Sequence, residues 1–295
     1  MGKLVKITEF LQSKNQFKIY LSIFRIILVF IVGNKILTIW SNQDILFSNE
    51  SFKNSENIAI LNFTFFKSPI SVDIKYLLLF TILLLIFLLF GIGRKITSLL
   101  LYLSFMILQS YISPLLNGGD NLLTFILLYF IFTNSFEYLS LFSNANKHSN
   151  TSNIISNISV YCILIHLCYV YLISGIHKLH SDVWFNGTAI YYILSIERFQ
   201  SPLCYLIKNN GFIVTISTYV TIFFEIFFCV LIWQKNTRNA MLFIGVFLHM
   251  GIFFFMMIFD FEIIFISIYG FFFTNNEWKK TINKIINLPI IRKYA

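Results

Sequence analysis

Charged residues are scarce in this chain: Asp, Glu, Lys and Arg make up 12% of its 295 residues, about half the share of an ordinary soluble domain. With 57% of positions apolar and a mean hydropathy of +0.77, there is too little polar side chain to clothe a water-facing surface of this size. A soluble domain is excluded. Cysteine is also sparse. Cys162, Cys168 and Cys229 fall inside apolar runs and only Cys204 lies in a connecting stretch, so no disulfide is expected, and there is no CxxC. No internal repeat of fixed period is present. The first apolar run is too long for a signal-peptide core and is followed by no small-residue cleavage site, which makes it a retained helix. No soluble domain is expected before or after the apolar core.

What the chain has in abundance is apolar runs long enough to cross a bilayer. A helical span needs about 20 largely apolar residues, because each backbone N–H and C=O in hydrocarbon has to be paired within its own segment. Such runs cover Tyr20 to Trp40, Tyr76 to Ile92, Ile96 to Leu116, Leu122 to Phe142, Ile154 to Ile176, Phe212 to Trp233 and Ala240 to Ile258, with a shorter one from Phe261 to Phe273. As a single helix, residues 240–273 would be about 51 Å long, against a hydrocarbon core of about 30 Å. Asp260 and Glu262 therefore read as a turn between two spans. The expected fold is all-α, a polytopic integral membrane bundle of about eight transmembrane helices. It forms one domain over residues 1–295, with a basic tail at 276–295. Apolarity is so uniform along the runs that lipid-facing and bundle-facing sides cannot be separated.

The lysines and arginines outside the runs are distributed unevenly. With the N-terminus inside, most of them, including Lys3, Lys6, Lys14, Arg94, Lys95, Lys235, Arg238 and Lys279, fall in inner segments, and most acidic residues, from Asp44 through Asp182 to Glu262, fall outside. This is the positive-inside pattern. It places the protein in the cell (inner) membrane with both termini cytoplasmic, and it accounts for the net charge of +9 without nucleic acid as a partner. The lipid bilayer is the partner the composition demands.

Ionisable groups within or beside the spans are the candidates for chemistry, since they are costly there. Arg25 lies near the inner end of the first span, where its side chain can reach the headgroups. Lys35, near the outer end, calls for a counter-ion such as an outer-loop carboxylate. Glu225, deep in TIFFEIFF, has to meet a wet cavity, pair with a cation or keep its proton. His249, equally deep in FLHMG, is either a hydrogen-bonded core histidine or a functional one. His177 and His180 stand three apart with Asp182 nearby, yet no further Cys or His follows to complete a metal site. Between them sits Lys178, with Trp184 beyond. There it serves either as a headgroup anchor or as a general base, which requires an amine able to shed its proton.

The element Gly175-Ile176-His177-Lys178-Leu179, followed by Asp182, Trp184, Gly187 and an outer amphipathic stretch ending at Ser201-Pro202, resembles the core motif of the HTTM (horizontally transferred transmembrane) superfamily, to which vitamin K-dependent gamma-glutamyl carboxylase belongs. The resemblance extends from Phe24-Arg25 through Asn117-Gly118-Gly119-Asp120 to Glu225 and the LHMGIFF segment around His249, roughly residues 15–275. It implies that Lys178 is a catalytic base, with His249 and Glu225 as supporting catalytic groups. It also implies that His177, His180, Asp182, Trp184 and Asp120 contact substrate, and that a reduced quinone or vitamin K-like cofactor reaches the site from the bilayer. Two departures point away from gamma-carboxylation: Gly118-Gly119-Asp120-Asn121 stands where the carboxylase has an Asn-His element, and no counterpart of its large lumenal domain is expected after the last apolar run. The compact size and the Gly-Gly-Asp element are closer to bacterial members such as the B component of sporulation-delaying systems, which implies maturation of a secreted antimicrobial peptide with a companion protein. Two readings stand side by side. One is an enzyme acting at the outer face beneath a cavity roofed by residues 117–121 and 177–211. The other is a non-catalytic factor that binds a toxin precursor, with Lys178 meeting a carboxylate.

Overall fold

A computed structural model describes residues 14–47, 73–112, 116–141, 149–197 and 200–286. Among the described residues the chain is all-helical: α1 (Lys18–Ser41), α2 (Gln43–Phe47), α3 (Ile74–Phe90), α4 (Arg94–Tyr111), α5 (Gly118–Phe130), α6 (Asn150–Leu179), the short α7 (Asp182–Phe185), α8 (Ala189–Ile193) and α9 (Tyr205–Lys208), then α10 (Gly211–Leu231), α11 (Lys235–Met256), α12 (Phe259–Ile268) and α13 (Asn275–Ile286). Four of these, α1, α6, α10 and α11, are long and apolar enough to cross a membrane. Their outward faces carry large apolar side chains, such as Phe243 and Phe247 at 74% and 72% exposure, an arrangement suited to lipid and not to water. This is a helical membrane protein.

Several helices begin where the sequence supplies a cap. Asp73 accepts from the backbone N–H of Lys75 at 2.9 Å to start α3, and Asn210 accepts from Phe212 and Ile213 to start α10. At α5, Asn117 and Asp120 form a reciprocal capping box. Each satisfies N–H groups that the first helical turn leaves unpaired.

The chain divides into two compact units, residues 1–163 with 270–295, and residues 164–269. In the first unit α1 packs on α3, α3 on α4 and α4 on α5, and α13 returns against α1. Leu21, Phe24, Leu28, Val32 and Ile36 form the buried stripe of α1 at helical spacing. Tyr20 stacks on Trp278 with ring centroids 4.8 Å apart, and Phe271 meets both Tyr20 and Phe24 edge-on. The counter-ion of Lys35 is Asp120, which pairs with the amine through Oδ1 while its Oδ2 accepts from the Asn117 backbone N–H.

Arg25 departs from the sequence expectation. It does not reach toward headgroups but is completely buried, donating from Nη1 to the Ser135 carbonyl at 3.1 Å and from Nη2 to the Leu139 carbonyl, with the Phe136 ring 5.1 Å away. Those carbonyls are free because α5 stops at Phe130 and does not run on to Phe142. The polar triplet Thr133-Asn134-Ser135 takes the chain out of the helix, as short polar side chains compete for backbone bonds: Thr133 donates its hydroxyl to the Phe130 carbonyl and the Asn134 N–H goes to Ser156. The guanidinium fills the irregular turn that results.

The second unit contains the far half of α6 and everything through α12. α10 packs on α11 and α11 on α12. The sequence puts the break in the last apolar run at Asp260 and Glu262, but the chain turns earlier, at Met257, whose φ is 55°. Both acids then occupy the first turn of α12, where the helix dipole favours them.

Replacing Arg25 by Ala should leave the Ser135 and Leu139 carbonyls without donors, at roughly 1–3 kcal/mol each. Thermal unfolding in detergent checks this, and an Arg25→Ala protein as stable as the parent would refute the assignment.

Candidate functional site

The last two turns of α6 place Tyr171, Ser174 and Lys178 at positions i, i+3 and i+7, one face of a helix. Gly175 lets that face approach α10 closely: a Cβ at this position would lie 2.8 Å from Ile226 Cγ1 and 3.1 Å from Glu225 Cβ. Lys178 Nζ therefore reaches Glu225, donating to Oε1 at 2.6 Å and Oε2 at 2.7 Å, and also to Ser174 Oγ at 2.7 Å. Three acceptors match the three hydrogens of an ammonium group. The pair is largely enclosed, with side-chain exposures of 19% for Lys178 and 12% for Glu225, and the Trp184 ring lies 5.0 Å from the amine. Glu225 is fourteen steps into α10, about 21 Å along it. The amine thus lies well along the span, not at its mouth, because helical side chains lean back toward the N-terminus.

A second cluster lies deeper in the same unit. His249 of α11 donates from Nδ1 to Glu262 Oε2 of α12, and its Nε2 meets the Tyr171 hydroxyl at 2.5 Å, which in turn meets the Tyr269 hydroxyl at 2.6 Å. One set of donors satisfies the line throughout: Tyr269 O–H to Tyr171, Tyr171 O–H to His249, and His249 N–H to the carboxylate. Phe224, Phe228 and Phe265 pack on the Tyr171 ring at centroid distances of 5.1, 4.7 and 5.5 Å, and Gly245 leaves room for Phe224 and Tyr269, since a Cβ there would come within 2.8 Å of Phe224 Cζ and run into the Tyr269 hydroxyl. Glu262 is wholly buried, and its Oε1 has no partner among the described residues. Tyr171 and Lys178, one from each cluster, stand on the same face of α6.

The expected site residues are therefore distributed as follows. Lys178, Glu225 and Trp184 come together. His249 joins the buried line behind them. His177 and His180 are exposed, His180 donating from Nδ1 to the Ile176 carbonyl at 2.8 Å, and no set of three or more His, Cys, Asp or Glu able to hold a metal occurs among the described residues. Asp182 is exposed in the first turn of α7. Asp120 belongs to the first unit, 1% exposed, as helix cap and partner of Lys35. Sequence reasoning missed Tyr171, Ser174, Tyr269 and the inward role of Glu262. The spacing of Tyr171, Ser174 and Lys178 was the available signal.

The chain is 25% identical over 263 residues to the sporulation-delaying protein SdpB of Bacillus subtilis (strain 168), an alignment that spans 84% of this chain and 79% of that protein. No family model matches the chain, so the likeness to the HTTM superfamily rests on the motif around Lys178. No solved structure matches it either. The aligned length takes in most of the chain and not a single span.

Chemically, a lysine and a carboxylate at this distance can pass a proton over one hydrogen bond. The ion pair then becomes a neutral amine beside a neutral acid, without charge leaving the enclosed site.

Truncating Glu262 to Ala should leave His249 Nδ1 without an acceptor and lower stability by roughly 1–3 kcal/mol, whereas Glu262→Gln retains an acceptor oxygen and should recover much of the loss. Thermal denaturation of the two variants in detergent provides the comparison.

Proposed function

We propose that this chain is a cell-membrane protein that takes part in the maturation of a secreted peptide, with the Lys178–Glu225 pair as its acid–base group. The observation that carries the reading is the bond from Lys178 Nζ to both oxygens of Glu225 and to Ser174, in a protein similar along most of its length to SdpB. Glu225 holds the proton while Lys178 acts as base, Ser174 orients the amine, and Trp184 covers it. His249 is held by Glu262 and by Tyr171, which shares the face of α6 that carries Lys178. The proposed topology has eight spans with both termini cytoplasmic, the outward-facing connection being that from α6 to α10. A lipid-soluble quinol is the cofactor class that the motif around Lys178 brings with it, and a companion maturation protein is the proposed partner.

A second reading is favoured by the completeness of the contacts around the amine. All three hydrogens of Lys178 have acceptors already, as in a structural clasp between α6 and α10, and the chain then binds a precursor without acting on it. Replacing Lys178 by Arg separates the two, because guanidinium keeps the charge and the two-pronged contact but does not give up its proton. Secretion of mature peptide, quantified by mass spectrometry at matched protein level, should fall by roughly 10²–10⁴-fold if the amine is a general base. Undiminished maturation in that variant would leave only the clasp.

Sidedness has its own test. A cysteine at Asp182 should react with a membrane-impermeant thiol reagent added to intact cells, above the background of the parent. Reaction only after permeabilisation would invert the topology.

A further inference from the structure

The stretch joining α6 to α10 is built unlike a loop in water. Its backbone closes on itself almost residue by residue: the N–H groups of Trp184 through Thr188, of Leu194 through Ile196 and of Leu206 through Asn210 each donate to a carbonyl within the stretch. Side-chain hydroxyls do likewise, Thr188 to the Val183 carbonyl and Ser195 to the Tyr191 carbonyl. Water makes no such demand, whereas apolar surroundings do.

The stretch is also tied along the flank of the spans. The Tyr219 hydroxyl donates to the Phe185 carbonyl at 2.8 Å, the Ile190 N–H to Thr218 Oγ1 at 3.4 Å, and the Ser201 N–H to the Phe255 carbonyl at 3.2 Å. Thr218 and Tyr219 are seven and eight steps into α10, about 10–12 Å from its start. The stretch therefore runs beside the first half of α10 and not above its end. Ala189 and Leu194 are buried against the protein. Phe185 is left at 69% exposure, and Tyr191, Tyr192, Leu203, Tyr205 and Leu206 are exposed as well, as are Phe212 and Ile216 on α10. The tyrosines of the stretch pair an apolar ring with a polar tip, the side chain favoured at the boundary between headgroups and acyl chains.

We propose that residues 181–197 and 200–210 belong to a re-entrant element set in the leaflet where α10 begins and covered by lipid on its tyrosine-rich side. Helices of four or five residues cannot cross a bilayer, and with backbone bonds closed internally they can lie within one. Asp182 at the start of the element and Glu197 and Gln200 farther along are exposed polar side chains, and they mark where the element meets water. The Lys178–Glu225 pair, farther along α10, then sits behind a lipid-facing wall, so that a molecule reaching it arrives through the bilayer interface and is itself amphiphilic.

The test uses tryptophan as a depth probe, in two variants lacking the four native Trp and carrying Phe185→Trp or Tyr205→Trp, each reconstituted in phosphatidylcholine vesicles. Lipids brominated high on the acyl chain should quench the emission at both positions at least about two-fold more than lipids brominated near the chain end, and aqueous acrylamide should quench weakly. Free access to acrylamide with no bromolipid quenching at both sites would overturn the proposal. So would shielding from both quenchers, which would mean that a peptide or a second copy of the chain covers the surface. The positions are independent, so a variant that fails to fold leaves the other to decide, and the outcome does not depend on the role of Lys178.

Discussion

Within apolar surroundings a charge survives only where the protein supplies its partner, since transfer away from water costs far more than any single contact returns. Among the described residues, four enclosed ionisable side chains are met by acceptors or counter-charges supplied by the fold. Arg25 is met by the carbonyls of an interrupted helix, Lys35 by a capping aspartate, Lys178 by a glutamate and a serine, and His249 by Glu262 and Tyr171. These pairings set where helices stop and how closely they pack. The break after Phe130, the approach of α6 to α10 and the inward turn of α12 each accompany one of them.

The two polar clusters of the second unit differ in character. Lys178 and Glu225 are partly open and bordered by Trp184, an arrangement able to meet another molecule. Tyr171, His249, Glu262 and Tyr269 are enclosed by phenylalanines and can act only through what they hold in place or through their field. Both engage the same face of α6, where Tyr171 and Lys178 stand two turns apart.

Much of this was legible from the chain as text. The apolar runs located most of the helices to within about five residues, because length and uninterrupted apolarity decide helix formation in hydrocarbon; α5 is the exception, ending at Phe130 and not at Phe142. The depth of Glu225 and His249 and the position of Lys178 singled them out for the same reason. What could not be read was pairing. Nothing local says that Lys178 faces Glu225, 47 residues away, or that Lys35 takes Asp120, since both depend on which faces of nearly uniform helices meet. Two misreadings share a cause: Arg25 and Glu262 were judged by distance from the ends of apolar runs, as if lipid were the only environment on offer. Inside the fold Arg25 meets carbonyls left by the break after Phe130, and Glu262 meets the His249 side chain of α11.

Gly175 has a consequence of its own. With hydrogen as its side chain, it acts as the gauge that sets the gap between two helices, and a lysine stem of fixed length has been cut to that gap. Even one methyl group there would work as a shim, prising the helices apart just where Lys178 must bridge them. The smallest residue on that face thereby governs the reach of the longest.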